Sequence, residues 1–119
     1  MDTEKREKME DGIKKELRRL RQVEQERVVR NTQMSLELIR LVVTELADRN
    51  LADFLLGQFR LARDMDRDLS GAEHHLSAAR ALMELLPEEH RDLLQRCRRQ
   101  VQLAEYGCLP GQAPAPDRN

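Results

Sequence analysis

Residues 3–48 decide the fold, and they read TEKREKMEDGIKKELRRLRQVEQERVVRNTQMSLELIRLVVTELAD. The stretch contains no proline and a single glycine, Gly12, and almost every other residue favours a helix. At ~1.5 Å per residue, one helix over this stretch would be about 69 Å long, whereas each later helical segment would span about 25–30 Å. The first helix must therefore extend beyond any body that packs around it. We predict an all-α fold, an up-down helical bundle of about four helices whose long N-terminal helix extends beyond the bundle as a coiled-coil arm.

Residues 1–30 form the predicted charged helical arm. Acidic residues precede basic ones by four positions, as in Glu10 and Lys14, and each such pair stabilises a solvated helix by about 0.2–0.5 kcal/mol. Beneath these charges a thin apolar stripe begins at Met9, fades at Glu24 and then resumes, with the narrow width that is typical of a coiled-coil seam. The residues that we predict to carry a contact between two chains are Ile13, Leu17, Leu20 and Val28.

Residues 31–108 form the predicted bundle core. Between residues 31 and 46 the apolar face widens, which predicts burial against more than one neighbouring helix. Asn50 is the predicted N-cap of the second helix. The stripe that we expect this second helix to bury comprises Leu51, Phe54, Leu55, Phe59, Ala62 and Met65.

Two further helices and a tail complete the chain. Ser70 and Glu73 have the spacing of a capping box, which predicts the start of a third helix. Pro87 predicts the start of a fourth helix, and Gly107 predicts its end. The stripe expected on the fourth helix comprises His90, Leu94, Cys97, Val101 and Ala104. Residues 109–119 are rich in proline and have almost nothing to bury, so they are predicted to be disordered.

No pattern of residues predicts a catalytic, cofactor-binding or metal site. The alternating aspartates of residues 64–68 match the start of a calcium loop, but Leu69 and His75 stand where that loop needs glycine and glutamate. His74 and His75 are adjacent, about 100° apart on a helix, which is a poor arrangement for sharing one metal ion. The chain also lacks a nucleophile elbow and a glycine-rich phosphate loop. We therefore predict a protein that is not an enzyme and has no cofactor.

The charge distribution leaves one alternative open. The formal net charge is −1, so no global field attracts the chain to nucleic acid or to an anionic membrane. One local cluster of basic residues could nevertheless contact phosphates, and acidic residues are interleaved with it. The cluster comprises Lys14, Lys15, Arg18, Arg19 and Arg21. A regulator that binds nucleic acid through this cluster is the less favoured interpretation.

The favoured interpretation is a small protein–protein interaction module in the cytoplasm. Two cysteines, Cys97 and Cys108, do not make a disulfide framework, and the charged N-terminus does not read as a signal peptide. No apolar stretch is long enough to span a bilayer. We expect the chain to self-associate, most simply as a homodimer, and to serve as an adaptor, an assembly subunit or a chaperone that masks a helix of another protein.

Overall fold

The computed structural model describes residues 2–107, and these residues form four α-helices joined by short connections. The helices are α1 (Asp2–Glu45), α2 (Arg49–Met65), α3 (His74–Leu85) and α4 (Arg91–Tyr106), and 3-10 turns cover Ser70–Ala72 and Glu88–His90. Residues 2–107 contain no β-strand, so the all-α prediction is confirmed. Cys108 and the predicted tail of residues 109–119 lie outside the described residues.

The predicted long N-terminal helix is confirmed. Helix α1 runs for 44 residues without a break and ends at Glu45, slightly before the predicted end at Asp48. Every residue from 2 to 26 is exposed, and Asn31 is the first buried residue among those described. We call residues 2–26 the arm and residues 27–107 the body. At ~1.5 Å per residue the arm is about 38 Å long, which is roughly half of the 71 Å length of the molecule.

The body has a hydrophobic core to which all four helices contribute. Arg30 Nε of α1 donates to the carbonyl oxygen of Ala104 in α4 at 3.3 Å, and Arg96 Nη1 of α4 donates to Glu45 of α1 at 2.8 Å. These two contacts show that α4 runs antiparallel to α1. Helix α2 packs mainly against α3. The fully buried core side chains include Leu38, Val42, Leu55, Phe59, Ala78, Ala79, Leu82 and Cys97.

The predicted start of α2 is wrong by two residues. The N-cap is Asp48, in an extended conformation, and its Oδ1 accepts from the backbone N–H of Leu51 at 3.1 Å. Asn50 lies inside the first turn. Aspartate is as good an N-cap residue as asparagine, and Asp48 comes first in the chain. Helix α2 therefore begins shortly after α1 ends.

The predicted capping box at Ser70 and Glu73 is also wrong. Gly71 and Ala72 both have positive φ, 64° and 56°, so Ser70 opens only a 3-10 turn and α3 starts at His74. The carboxylate of Glu73 forms an ion pair with Arg27 of α1 instead of reaching back to Ser70. A contact with a helix distant in sequence has replaced the local cap.

Helix α4 follows the predicted pattern with one shift. Pro87 caps the 3-10 turn Glu88–His90, and Gly107 ends the helix in the left-handed conformation as expected, with φ 71°. Cys97 is buried as predicted, but Leu93 rather than Leu94 is the buried leucine of the first turn. Leu93 and Leu94 precede Cys97 by four and three residues in the same α-helix, so both lie near its buried face, and Leu94 is partly buried against the core.

The predicted buried stripe of α2 is wrong at two positions. Phe54 and Met65 are exposed, and together with Leu61 they form a second apolar strip on the outer face of α2. Only Ala52, Leu55 and Phe59 of this helix are buried, because α2 packs mainly on one neighbour. An apolar pattern on both sides of a helix does not reveal which side the neighbour takes.

We expect the substitution Asn31→Ala to destabilise the body. Asn31 is buried, and its Nδ2 donates to the carbonyl oxygen of Gly71 at 2.8 Å, which holds the 3-10 turn against α1. Removing the donor leaves that carbonyl unpaired, so we expect a loss of about 1–2 kcal/mol in the free energy of unfolding. Urea denaturation followed by circular dichroism measures it. As a control, Thr32→Ala removes only a hydrogen bond within α1 and should cost clearly less.

Candidate interaction surface

The apolar side chains of the arm lie on the same face of α1 as the buried side chains of the body. Residues about 18 apart are separated by five turns of an α-helix and therefore share a face. Three exposed residues of the arm have a buried residue at this spacing. The pairs are Ile13 with Asn31, Leu17 with Ser35, and Leu20 with Leu38. The face that builds the core thus continues along the arm, where no residue among those described covers it.

We call Met9, Ile13, Leu17 and Leu20 the arm stripe. The side chains of Ile13, Leu17 and Leu20 are 59%, 46% and 51% exposed, which is high for large aliphatic residues. Val23, which the sequence interpretation did not include, is also exposed and lies at the edge of the same face. Four consecutive turns of the arm therefore present apolar side chains to the solvent in one line.

The fourth predicted contact residue, Val28, lies eleven residues after Leu17 and within about 20° of it around the helix. It is less exposed than the arm stripe, at 38%, and lies beside the base of the body. The four predicted contact residues therefore lie within about 80° of one another around α1, with Val28 at the end next to the body.

An ion pair and a hydrogen bond mark the boundary between arm and body. Arg27 pairs with Glu73, and its guanidinium also lies close to Gly71, where an added Cβ would approach its Cζ to 3.5 Å. One turn further along, Asn31 holds the same segment through its hydrogen bond to Gly71. No sequence pattern predicts these contacts, because the partners are at least 40 residues apart.

The predicted phosphate-contacting residues are exposed and lie mainly on the side of the arm away from the arm stripe. Arg18, for example, is about 160° from Leu20 around the helix. Arg19 is hydrogen-bonded to Glu16, with Nε donating at 3.2 Å, so part of this charge is neutralised within the helix. The basic cluster and the arm stripe are therefore separate surfaces of one helix.

The cysteine of the body, Cys97, is buried, and the histidines of the body are partly buried. Among residues 2–107 no group of three or more His, Cys, Asp and Glu side chains could hold a metal ion. Burial raises the pKa of the Cys97 thiol to about 11, so the reactive thiolate is scarce at neutral pH. The rings of His74 and His75 lie with their centroids 4.1 Å apart, and the two Nδ1 atoms are buried without a hydrogen-bond partner among the described residues.

We expect His75 to make the body less stable in mildly acidic solution. Burial, with smaller contributions from His74 and Arg63, lowers the pKa of His75 to about 4, whereas an unfolded histidine titrates near 6.5. Between these two values the unfolded chain takes up a proton that the folded chain does not, so stability is complete above pH ~6.5 and falls towards pH ~4. Because water reaches part of the ring, we expect a loss on the order of 1 kcal/mol.

Thermal denaturation at pH 7.5 and 5.0 measures this effect. The melting temperature of the wild type should fall more between these pH values than that of His75→Gln, which cannot take up the proton. An equal fall in the two proteins would contradict the assignment to His75.

Comparisons with protein-family models, with curated protein sequences and with solved structures return no match for this chain. Within the part of the chain that the structure describes, no helix is both long enough and apolar enough to cross a membrane.

Proposed function

We propose that the protein is a non-enzymatic helical interaction module that self-associates through its arm, most simply as a homodimer. The observation that carries the proposal is the arm stripe, an exposed continuation of the core face along about 38 Å of helix. In the body this face is buried by other helices of the same chain. In the arm none of the residues that the structure describes buries it, and a second chain can.

Helix energetics support the same conclusion. An isolated helix gains little stability from propensity alone, and most helices in proteins are stabilised by packing of an apolar face. The arm makes no such packing contact with the other described residues of its chain. Paired with a second arm as a coiled coil, it would bury the leucines and isoleucine of the stripe, and each fully buried side chain contributes about 1.5–3 kcal/mol.

The finer architecture belongs to the same proposal. The antiparallel contact of α1 with α4 supports an up-down bundle for residues 31–108. Residues 1–30, which include the arm, would form the coiled-coil segment. A cytoplasmic location is proposed because Cys97 is a buried free thiol. Such a dimer could act as an adaptor, as a subunit of a larger assembly, or as a chaperone that covers an amphipathic helix of another protein.

Sedimentation equilibrium of the full-length chain tests self-association. We expect the mass to rise with concentration from 13.9 kDa towards twice that value. A mass that stays at that of the monomer up to ~100 μM would contradict the proposal, because a dimer weaker than this gains less than about 6 kcal/mol from the contact.

A nucleic-acid-binding regulator is the second candidate, and one observation favours it. The basic side chains of Lys14, Arg18 and Arg21 lie away from the arm stripe, so they would remain accessible in a dimer. Binding that depends on them should weaken steeply as salt increases, since released counterions would drive it. Retention of the wild type on heparin and on DNA at 50 mM salt, compared with the variant Lys14→Glu and Arg18→Glu, tests this candidate. Equal elution of the two proteins would reject it.

A further inference from the structure

We infer that the arm stripe binds the arm stripe of another copy of this chain and that the two arms run antiparallel. The two bodies then lie at opposite ends of the paired arms. This inference rests on the proposed self-association and adds its geometry. It follows from two independent properties of α1, the first steric and the second electrostatic.

The steric property is the alignment of the arm stripe with the core face. From Arg27 onward, α4, α3 and the turn Ser70–Ala72 occupy that face of α1. A parallel partner on the arm stripe would lie with its axis about 8–10 Å away. Its own α1, which is a single straight element, would then continue into the space that these segments fill. The parallel arrangement is therefore blocked at the base of the arm.

An antiparallel partner meets no such obstacle. Its α1 would run past the N-terminus of the first chain, away from the first body, and its own body would lie beyond that N-terminus. Each arm then fills the space between its own body and that of the partner. The full length of the two arms overlaps, which is about seven turns of helix.

The electrostatic property is a division of charge along the arm. Residues 2–13 contain five acidic and three basic side chains, whereas residues 14–26 contain three acidic and five basic ones. A parallel pair would place each half against a half of the same sign. An antiparallel pair places the acidic half of one arm against the basic half of the other, which favours this orientation.

Full overlap of the two arms also sets a register. With residue 2 of one chain near the base of the other arm, Ile13 lies opposite Leu17 at the centre of the contact. In the same register Arg6 lies opposite Glu24, and these two side chains have opposite charges. The apolar centre and this pair of charges therefore agree on one register.

Disulfide trapping distinguishes the two orientations. Two variants are prepared in a Cys108→Ser background, Arg6→Cys and Glu24→Cys, and one of them carries a tag that increases its mass. Equal amounts are mixed and oxidised, and the disulfide-linked products are separated by non-reducing electrophoresis. Cys97 can stay, because it is buried. We expect the ratio of the mixed disulfide to either homodisulfide to be at least about tenfold higher than random pairing of the two variants would give. As a matched control, Glu7→Cys with Gln25→Cys faces about 140° away from Leu20 and should give no disulfide.

Small-angle X-ray scattering of the wild type gives a readout without substitutions. An antiparallel dimer should have a maximum dimension of roughly 100 Å, since two bodies flank one length of paired arm. A parallel dimer would stay close to the 71 Å of the single chain.

The possible outcomes separate this inference from the proposal beneath it. A monomer in sedimentation overturns both. A dimer that gives Arg6→Cys and Glu24→Cys homodisulfides, with a maximum dimension near that of one chain, overturns the antiparallel orientation alone. A dimer with no disulfide from either variant shows that another surface pairs, and it overturns the assignment to the arm stripe.

Discussion

Replacing Leu17 and Leu20 together by aspartate is expected to abolish self-association. A dimer contains four copies of these leucines, and at ~1.5 kcal/mol for each, their burial contributes about 6 kcal/mol, or roughly a ten-thousandfold change in Kd. The introduced carboxylates would also have to be desolvated in the seam. The body should be unaffected, because both leucines are exposed in the single chain and none of the described residues of the body covers them. Sedimentation equilibrium measures the association, and thermal denaturation measures the body.

Leu36→Asp is the matched control for this result. Leu36 is on the same helix and is 63% exposed, but it lies about 160° from the arm stripe. It should leave the dimer intact while introducing one aspartate into the same helix, which is half of the added charge and half of the loss of helix propensity of the double variant. If Leu36→Asp dissociated the dimer as strongly as the double variant, the arm stripe would not be the contact surface.

The long helix was predictable from the sequence because its cause is local. Between residues 3 and 48 there is no proline and only Gly12 weakens the helix, so nothing within the stretch ends it early. The exposure of Ile13, Leu17 and Leu20 followed from the same length argument. What the sequence did not indicate was that the arm stripe lies in line with the core face, because that requires knowing which side of α1 the body covers.

The start of α3 was not predictable, because its cause is not local. Ser70 and Glu73 have the right identity and spacing for a capping box, and the motif alone favours a helix from that point. In the structure Gly71 turns left-handed and presents its carbonyl oxygen to Asn31, while Arg27 takes the carboxylate of Glu73. Two contacts with α1 outweigh one local cap. Such contacts appear only when the helices are placed in space.

The second apolar strip shows the same limit in a different form. Phe54, Leu61 and Met65 are spaced seven and four residues apart, as core residues of a helix would be, yet they are exposed on α2. The opposite side of α2 carries Leu55 and Phe59, which are fully buried. Periodicity identifies an amphipathic helix, but the choice between two apolar sides depends on the neighbour.

The relation between arm and core leads to the last prediction, which compares Leu38→Ala with Leu20→Ala. The two leucines are on the same face of α1, five turns apart, but Leu38 is fully buried within the chain and Leu20 is exposed. Leu38→Ala leaves a cavity in the core, and we expect it to lower the free energy of unfolding of the body by about 2–5 kcal/mol. Leu20→Ala should change that free energy by less than about 0.5 kcal/mol and should weaken only the association.

Two measurements separate the effect on stability from the effect on association. Urea denaturation at a concentration too low for dimer formation measures the stability of the monomer, and sedimentation at a higher concentration measures association. The Leu38→Ala protein should unfold at lower urea in the monomeric regime, whereas Leu20→Ala should match the wild type there and differ only in mass at high concentration. Equal destabilisation of the monomer by both substitutions would mean that the arm stripe is buried within its own chain in solution. The face of α1 that carries Leu20 and Leu38 would then stabilise only the single chain. It would not form the core in the body and also bind a second chain through the arm.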